Sequence, residues 1–120
     1  MAKNKQHIET GKLGEELAVN FIGQNGFTLL KRNWRFKRCE VDIIASKEYT
    51  LHFFEVKTRT GKQMLQPEAS VTQKKMDKLK EAAAEYLYQN PDWRWLQFNV
   101  LAITLNAGCM PDIFLIEDVY

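Results

Sequence analysis

Cysteine, proline and glycine are scarce in this chain of 120 residues, which holds two, three and six of them. Cys39 and Cys109 stand far apart with no CxxC pair and no histidine beside either, which excludes a disulfide framework and leaves zinc without a recognisable ligand spacing. So few glycines and prolines, beside 12% aromatic residues, exclude collagen-like, linker-like and disordered chains. No apolar run approaches the roughly 18 residues that a membrane-spanning helix needs. The start, Met1–His7, lacks the apolar centre of a signal peptide. The expectation is a cytoplasmic protein with no membrane partner. What is present, 45% hydrophobic residues in 14.0 kDa, suits a single domain over 1–120, with 1–9 expected as a flexible N-terminus.

A net charge of +2 hides a polarity along the chain. Residues 1–80 hold 16 of the 17 Lys/Arg but only 9 of the 15 Asp/Glu, so residues 81–120 are acidic. A fold that kept this separation would turn one face toward a polyanion. Solvated lysine faces are common, so the polarity alone does not decide for nucleic acid.

Leu13, Leu17, Ala18, Phe21 and Ile22 recur at helical spacing before Asn25-Gly26, which predicts a helix over 11–24 with Glu15 at the border of its buried stripe. Three strands are predicted next, over 27–34, 40–45 and 51–57, the last two closed into an antiparallel hairpin by the loop 47–50. Ser70-Val71-Thr72-Gln73 offers a capping box for a second helix with the stripe Met76, Leu79, Ala83, Tyr86 and Leu87, ended by Asn90-Pro91. Strands over 95–104 and 113–116 complete the chain. A meander followed by a helical crossover to a parallel strand predicts an α/β fold, a mixed central sheet flanked by helices.

Charges inside the apolar strands carry the chemical information. Alternation puts Glu40 and Asp42 on one face of their strand and Glu55 and Lys57 on one face of the next. With Ser46 opposite Leu51, Asp42 falls opposite Glu55 and Glu40 opposite Lys57. Opposed strand residues lie roughly 4.5 to 5.5 Å apart, so two carboxylates converge with an ammonium beside them, a costly arrangement unless a cation fills it. Carboxylate oxygens with open positions suit Mg2+ or Mn2+, which would activate a water and stabilise charge on a phosphodiester. Lys57 would orient that water or neutralise the phosphoryl oxygens, and Glu15 is a third carboxylate for the metal or the water. The bland alternative is a Glu40–Lys57 ion pair with Asp42 and Glu55 idle at the sheet rim.

At this point the sequence resembles a known family. Gly11-Lys12-Leu13-Gly14-Glu15-Glu16-Leu17-Ala18, Asn33-Trp34-Arg35, Cys39-Glu40-Val41-Asp42-Ile43-Ile44-Ala45, Phe54-Glu55-Val56-Lys57-Thr58-Arg59 and Ala69-Ser70-Val71-Thr72-Gln73-Lys74-Lys75 look like the successive motifs of the YraN-like family of small bacterial proteins. That family is distantly similar to restriction endonucleases and Holliday-junction resolvases of the PD-(D/E)xK nuclease superfamily. The resemblance, over roughly residues 9–104, implies a restriction-endonuclease-like α-β-β-β-α-β core and an Mg2+- or Mn2+-dependent endonuclease acting on DNA, branched or structured DNA included. It assigns Asp42 and Glu55 as metal ligands, Glu15, Asp42, Glu55 and Lys57 as the catalytic set, Glu40 as auxiliary, and Lys75 as a recurring lysine of the second helix. A symmetric homodimer stays open, because many resolvases of that fold pair. Two positions depart from the family pattern: Cys39 stands where glycine is usual and Asn99 where aspartate is usual.

Once the family is granted, Asn33, Arg35, Lys37, Arg38, Arg59 and Lys62 are read with Lys75 as nucleic-acid contacts, to backbone and shape because no helix-turn-helix or zinc-finger spacing appears. Trp34 and Phe36, interleaved among these cations, are read as core, and His52 faces away from Glu55 and Lys57. The competing class is a non-catalytic nucleic-acid-binding protein that retains a nuclease fold, and a third is a partner-binding domain with affinity for neither DNA nor metal.

Overall fold

Short turns dictate the first half of the fold. The computed structural model describes residues 5–60, 72–106 and 108–119, so Lys62 and the Ser70 cap lie outside the described residues. Strands β1 (Thr28–Phe36), β2 (Cys39–Lys47) and β3 (Thr50–Thr60) form an antiparallel meander. Ser46 pairs with Leu51 as anticipated, but the loop shrinks to Glu48-Tyr49, because Lys47 also pairs with Thr50. Both turn residues have positive φ, 50° and 66°, which matches a two-residue turn to the strand twist.

Helix α1 spans Lys5–Gln24 and starts six residues before the predicted 11. Nothing between Lys5 and Thr10 breaks a helix, and the first glycine, Gly11, costs only about 1 kcal/mol. Residues 5–9 are helical, and residues 1–4 lie outside the described residues. Gly26, at φ 88°, stops the helix, and the Phe27 N–H donates to the Ile22 carbonyl at 3.0 Å.

Helix α2 (Gln73–Gln89) is capped by Thr72, whose hydroxyl accepts the Lys75 N–H at 3.2 Å. Asn90 closes its other end on the Tyr86 carbonyl. From α2 the chain crosses to β4 (Trp95–Leu105), parallel to β3, and β5 (Asp112–Ile116) returns antiparallel to β4. The sheet order is β1-β2-β3-β4-β5.

Each helix covers one face. Val41, Ile44, Leu51 and Phe53 pack under Met76, Leu79, Ala83 and Tyr86 of α2. Ile43, Ala45, Phe54, Leu101 and Ile103 pack under Ala18 and Ile22 of α1. Phe53 and Phe54 are fully buried on opposite faces, each contributing about 2 kcal/mol of apolar burial. The element order α-β-β-β-α-β around a mixed sheet is that of a restriction-endonuclease-like core. Among the described residues no helix is long and apolar enough to cross a membrane.

Candidate active site

The middle of the sheet splits. β2 and β3 pair only from Lys47–Thr50 to Ile43–Phe54. Beyond that rung β2 stays with β1 as far as Cys39–Phe36, and β3 stays with β4 as far as Thr60–Leu105. Asp42 and Glu55 are the first residues past the vertex of this fork. At about 3.3 Å per residue, the β2 arm extends some 13 Å and the β3 arm some 20 Å.

Asp42 is held at the vertex by its own side chain, because Oδ2 accepts the Val56 N–H at 2.7 Å. Val41 packs under α2 but Ile43 under α1, so the alternation of β2 slips by one residue at Asp42. Glu40, between Cys39 and Val41 of the α2 face, turns to the same α1 side as Asp42. Burial, followed by the charge of Glu55, pushes the Asp42 carboxyl up to about 7, while the Val56 N–H opposes and Glu40 and Glu15 add to the rise.

Glu55 and Lys57 project from β3 on the α2 side, with Nζ to Oε1 at 3.3 Å, both largely shielded. Lys75, in the first turn of α2, lies beside Lys57, and that contact between amines is the main reason the Lys75 amine titrates below its ordinary value, with burial and the Lys57 charge adding to it. Burial alone would lower Lys57 as well, but Lys75, Glu55 and Asp42 together raise it, so Lys57 stays an ammonium.

On the α1 side an open cavity of about 270 Å³ is lined by Gly11, Glu15, Asp42, Val56 and Thr58. Gly14 lets α1 come this close. A Cβ there would collide with the Thr58 hydroxyl and lie 2.8 and 2.9 Å from its Cγ2 and Cβ. Glu15 thus reaches the same cavity as Asp42, with Oε1 accepting from Asn33 Nδ2 at 2.7 Å and from Arg32 at 3.3 Å.

Glu40 does not meet Lys57. It lies opposite Arg35 in the ladder and pairs with that guanidinium at 3.6 Å, while Lys57 pairs with Glu55. Arg35, Lys37 and Arg38 are exposed at the tip of the β1–β2 hairpin, and Arg59 is half-buried on the β3 arm. The amide of Asn33 is engaged by Glu15. Arg32, bonded to Glu15 and Glu16, has no distinguishing sequence signal within a run of cations.

The two departures from the family pattern are both buried. Cys39 packs under α2 and donates to Glu81 at 3.8 Å. Asn99 bonds His52 Nδ1 at 2.9 Å, and its Oδ1 accepts from Gln97 and from the Asp118 N–H. His52 stacks edge-on against Phe27, away from Glu55 and Lys57 as expected, and burial lowers its pKa. Trp34 packs on Tyr86 at 5.4 Å and is core in function, while Phe36 is half-buried beneath the Lys37 ammonium.

A family profile described as "Uncharacterised protein family UPF0102" matches residues 14–103, a span that includes Glu15, Asp42, Glu55, Lys57 and Lys75. The chain belongs to the UPF0102 family. It is 37% identical over 98 residues to a UPF0102 protein of Flavobacterium psychrophilum, covering 82% of each chain. With a UPF0102 protein of Desulfitobacterium hafniense strain Y51 it shares 39% over 123 residues, covering 99% of this chain and 100% of the relative. Membership in the YraN-like group, read from the motifs, holds at this level.

Metal chemistry can be tested on the donor set of this UPF0102 chain. Among the described residues no three His, Cys, Asp or Glu side chains gather into a cage for an ion. Asp42 at the open cavity and Glu55 on the next strand are two mutually repelling carboxylates, which fits an ion that keeps most of its positions for water, as Mg2+ does, and not a closed zinc site.

Proposed function

We propose that this UPF0102 protein is a metal-dependent nuclease that hydrolyses DNA phosphodiester bonds, branched or structured DNA included. The observation that carries the reading is the fork, which sets Asp42 at its vertex, where burial and the charge of Glu55 raise its carboxyl, beside the strand that carries the Glu55–Lys57 pair. Asp42 and Glu55 would hold Mg2+ or Mn2+, which when bound supplies an activated water and charge neutralisation at the phosphate. Lys57, kept protonated by its neighbours, would donate to a phosphoryl oxygen or orient the attacking water. Glu15, which lines the cavity with Asp42, would accept a hydrogen bond from that water. Arg35, Lys37 and Arg38 on one arm, with Arg59 on the other and Lys75 at the α2 end, grip backbone phosphates.

The second reading is a nucleic-acid-binding protein that keeps the fold without turnover, favoured by the lack of a three-ligand cage among the described residues. A reducing cytoplasm suits either reading, since Cys39 and Cys109 are both free. A homodimer would set two forks on one branched substrate.

The test is cleavage of duplex, single-stranded and four-way-junction DNA by wild type and Asp42→Ala, each with Mg2+, Mn2+ or chelator. Metal-dependent cutting by wild type alone is the expected result. No cutting by either protein, with salt-dependent binding that Arg35→Ala weakens, would replace this reading with the binding protein. Neither cutting nor binding would remove nucleic acid from the account.

A further inference from the structure

Glu15 is tied down asymmetrically. Asn33 Nδ2 donates to Oε1 at 2.7 Å and Arg32 reaches the same oxygen at 3.3 Å, while also pairing with Glu16 at 2.9 Å. Among the described residues no hydrogen bond is made to Oε2, and Glu15 lines the cavity with Asp42, Val56 and Thr58. A carboxylate anchored through one oxygen keeps one orientation and offers the other.

Asn33 is itself held in an unusual conformation. Its φ of 50° is left-handed in the interior of β1, where asparagine is tolerated better than most side chains. It sits between Arg32, opposite Ile43, and Trp34, opposite Val41, which puts it across from Asp42 where the alternation of β2 slips. Strained backbone of this kind persists where its surroundings over-determine it, and such places cluster at functional sites. One residue therefore links the two carboxylates of the cavity, through its main chain beside Asp42 and its amide on Glu15.

Resting on the nuclease reading, we propose that Asn33 and Arg32 are positioning residues that lock Glu15 with Oε2 turned to the cavity, so that it acts beside Asp42, and that Asn33 is not a phosphate contact. The test uses full-length wild type, Asn33→Gly, Glu15→Gln and the double variant. Asn33→Gly keeps the left-handed backbone accessible and removes only the amide. Nicking of a supercoiled plasmid in Mn2+, Mn2+ affinity by calorimetry and DNA affinity in chelator are measured, with thermal melts to show that each variant folds.

Each single variant should lose about 10- to 100-fold in nicking rate or Mn2+ affinity, and the double variant should lose no more than either. DNA affinity in chelator should be unchanged. Losses that multiply in the double variant, or a drop in chelator DNA affinity as large as that of Arg35→Ala, would overturn the positioning role and leave the nuclease reading standing. A folded wild type that neither nicks DNA nor binds Mn2+ would defeat the nuclease reading, and the positioning role with it. If Asn33→Gly does not fold, Arg32→Met takes its place in the same cycle, with the same expected and contrary results.

Discussion

The Asp42 carboxylate accepts the Val56 N–H at 2.7 Å, one residue past the last β2–β3 pair, Ile43 with Phe54. A side chain thus closes the sheet where main-chain pairing stops, and it does so with a group that is half-buried and repelled by Glu55. The fork and the charge at its vertex are one feature.

Asp42 makes stability depend on pH in an unusual direction. Its carboxyl lies at about 7 in the folded protein against 3.8 ordinarily. The folded state therefore holds this proton more tightly than the unfolded state, and stability falls as pH rises from about 4 to 7. Asp42→Asn keeps an oxygen for the Val56 N–H and removes the charge. Urea melts should show it matching wild type near pH 4 and gaining up to about 4 kcal/mol above pH 7. A difference that stays flat across this range would contradict the assignment.

Divalent ions should relieve the same repulsion. At pH 8, Mn2+ at about 100 times its dissociation constant should stabilise wild type by about 2.7 kcal/mol. The gain should shrink at pH 5, where Asp42 is largely protonated, and vanish in Asp42→Asn. An equal shift in wild type and variant would mean that the ion binds elsewhere.

Two glycines of α1 should respond oppositely to alanine. Gly11 has open space around an added Cβ, so Gly11→Ala should stabilise by up to about 1 kcal/mol. Gly14 faces Thr58 at contact distance, so Gly14→Ala should cost about 1 to 3 kcal/mol by pushing α1 off β3. Thermal denaturation of the two variants side by side checks the contrast.

Asn99→Asp should recharge the buried pair with His52. His52 Nδ1 now accepts from the neutral Asn99 amide, and burial lowers its pKa. A carboxylate at 99 would favour the imidazolium, so NMR titration of His52 should move its pKa upward. No movement would show that the two side chains part in the variant.

Much of the fold was readable from residue order alone. The apolar stripe Met76, Leu79, Ala83 and Tyr86 marked α2, and the Ser46–Leu51 pairing set the β2–β3 register as far as Ile43–Phe54, because hydrophobic period and turn length are local properties. The partners of Glu40 were misread for a definite reason. Alternation assumes an unbroken ladder, and the β2–β3 ladder stops at Ile43, before Glu40 could meet Lys57.

The sequence by itself determined the family, the element order and the presence of Glu15, Asp42, Glu55 and Lys57 in motif positions, since each depends on residues close along the chain. Only the tertiary structure decided that the sheet forks, that Glu15 is clasped by Arg32 and Asn33 from β1, and that Lys75 of α2 joins Lys57. Those contacts join residues 17 to 18 positions apart or on different elements. Their geometry follows from how α1 and α2 pack on opposite faces of a split sheet, and no local pattern encodes that packing.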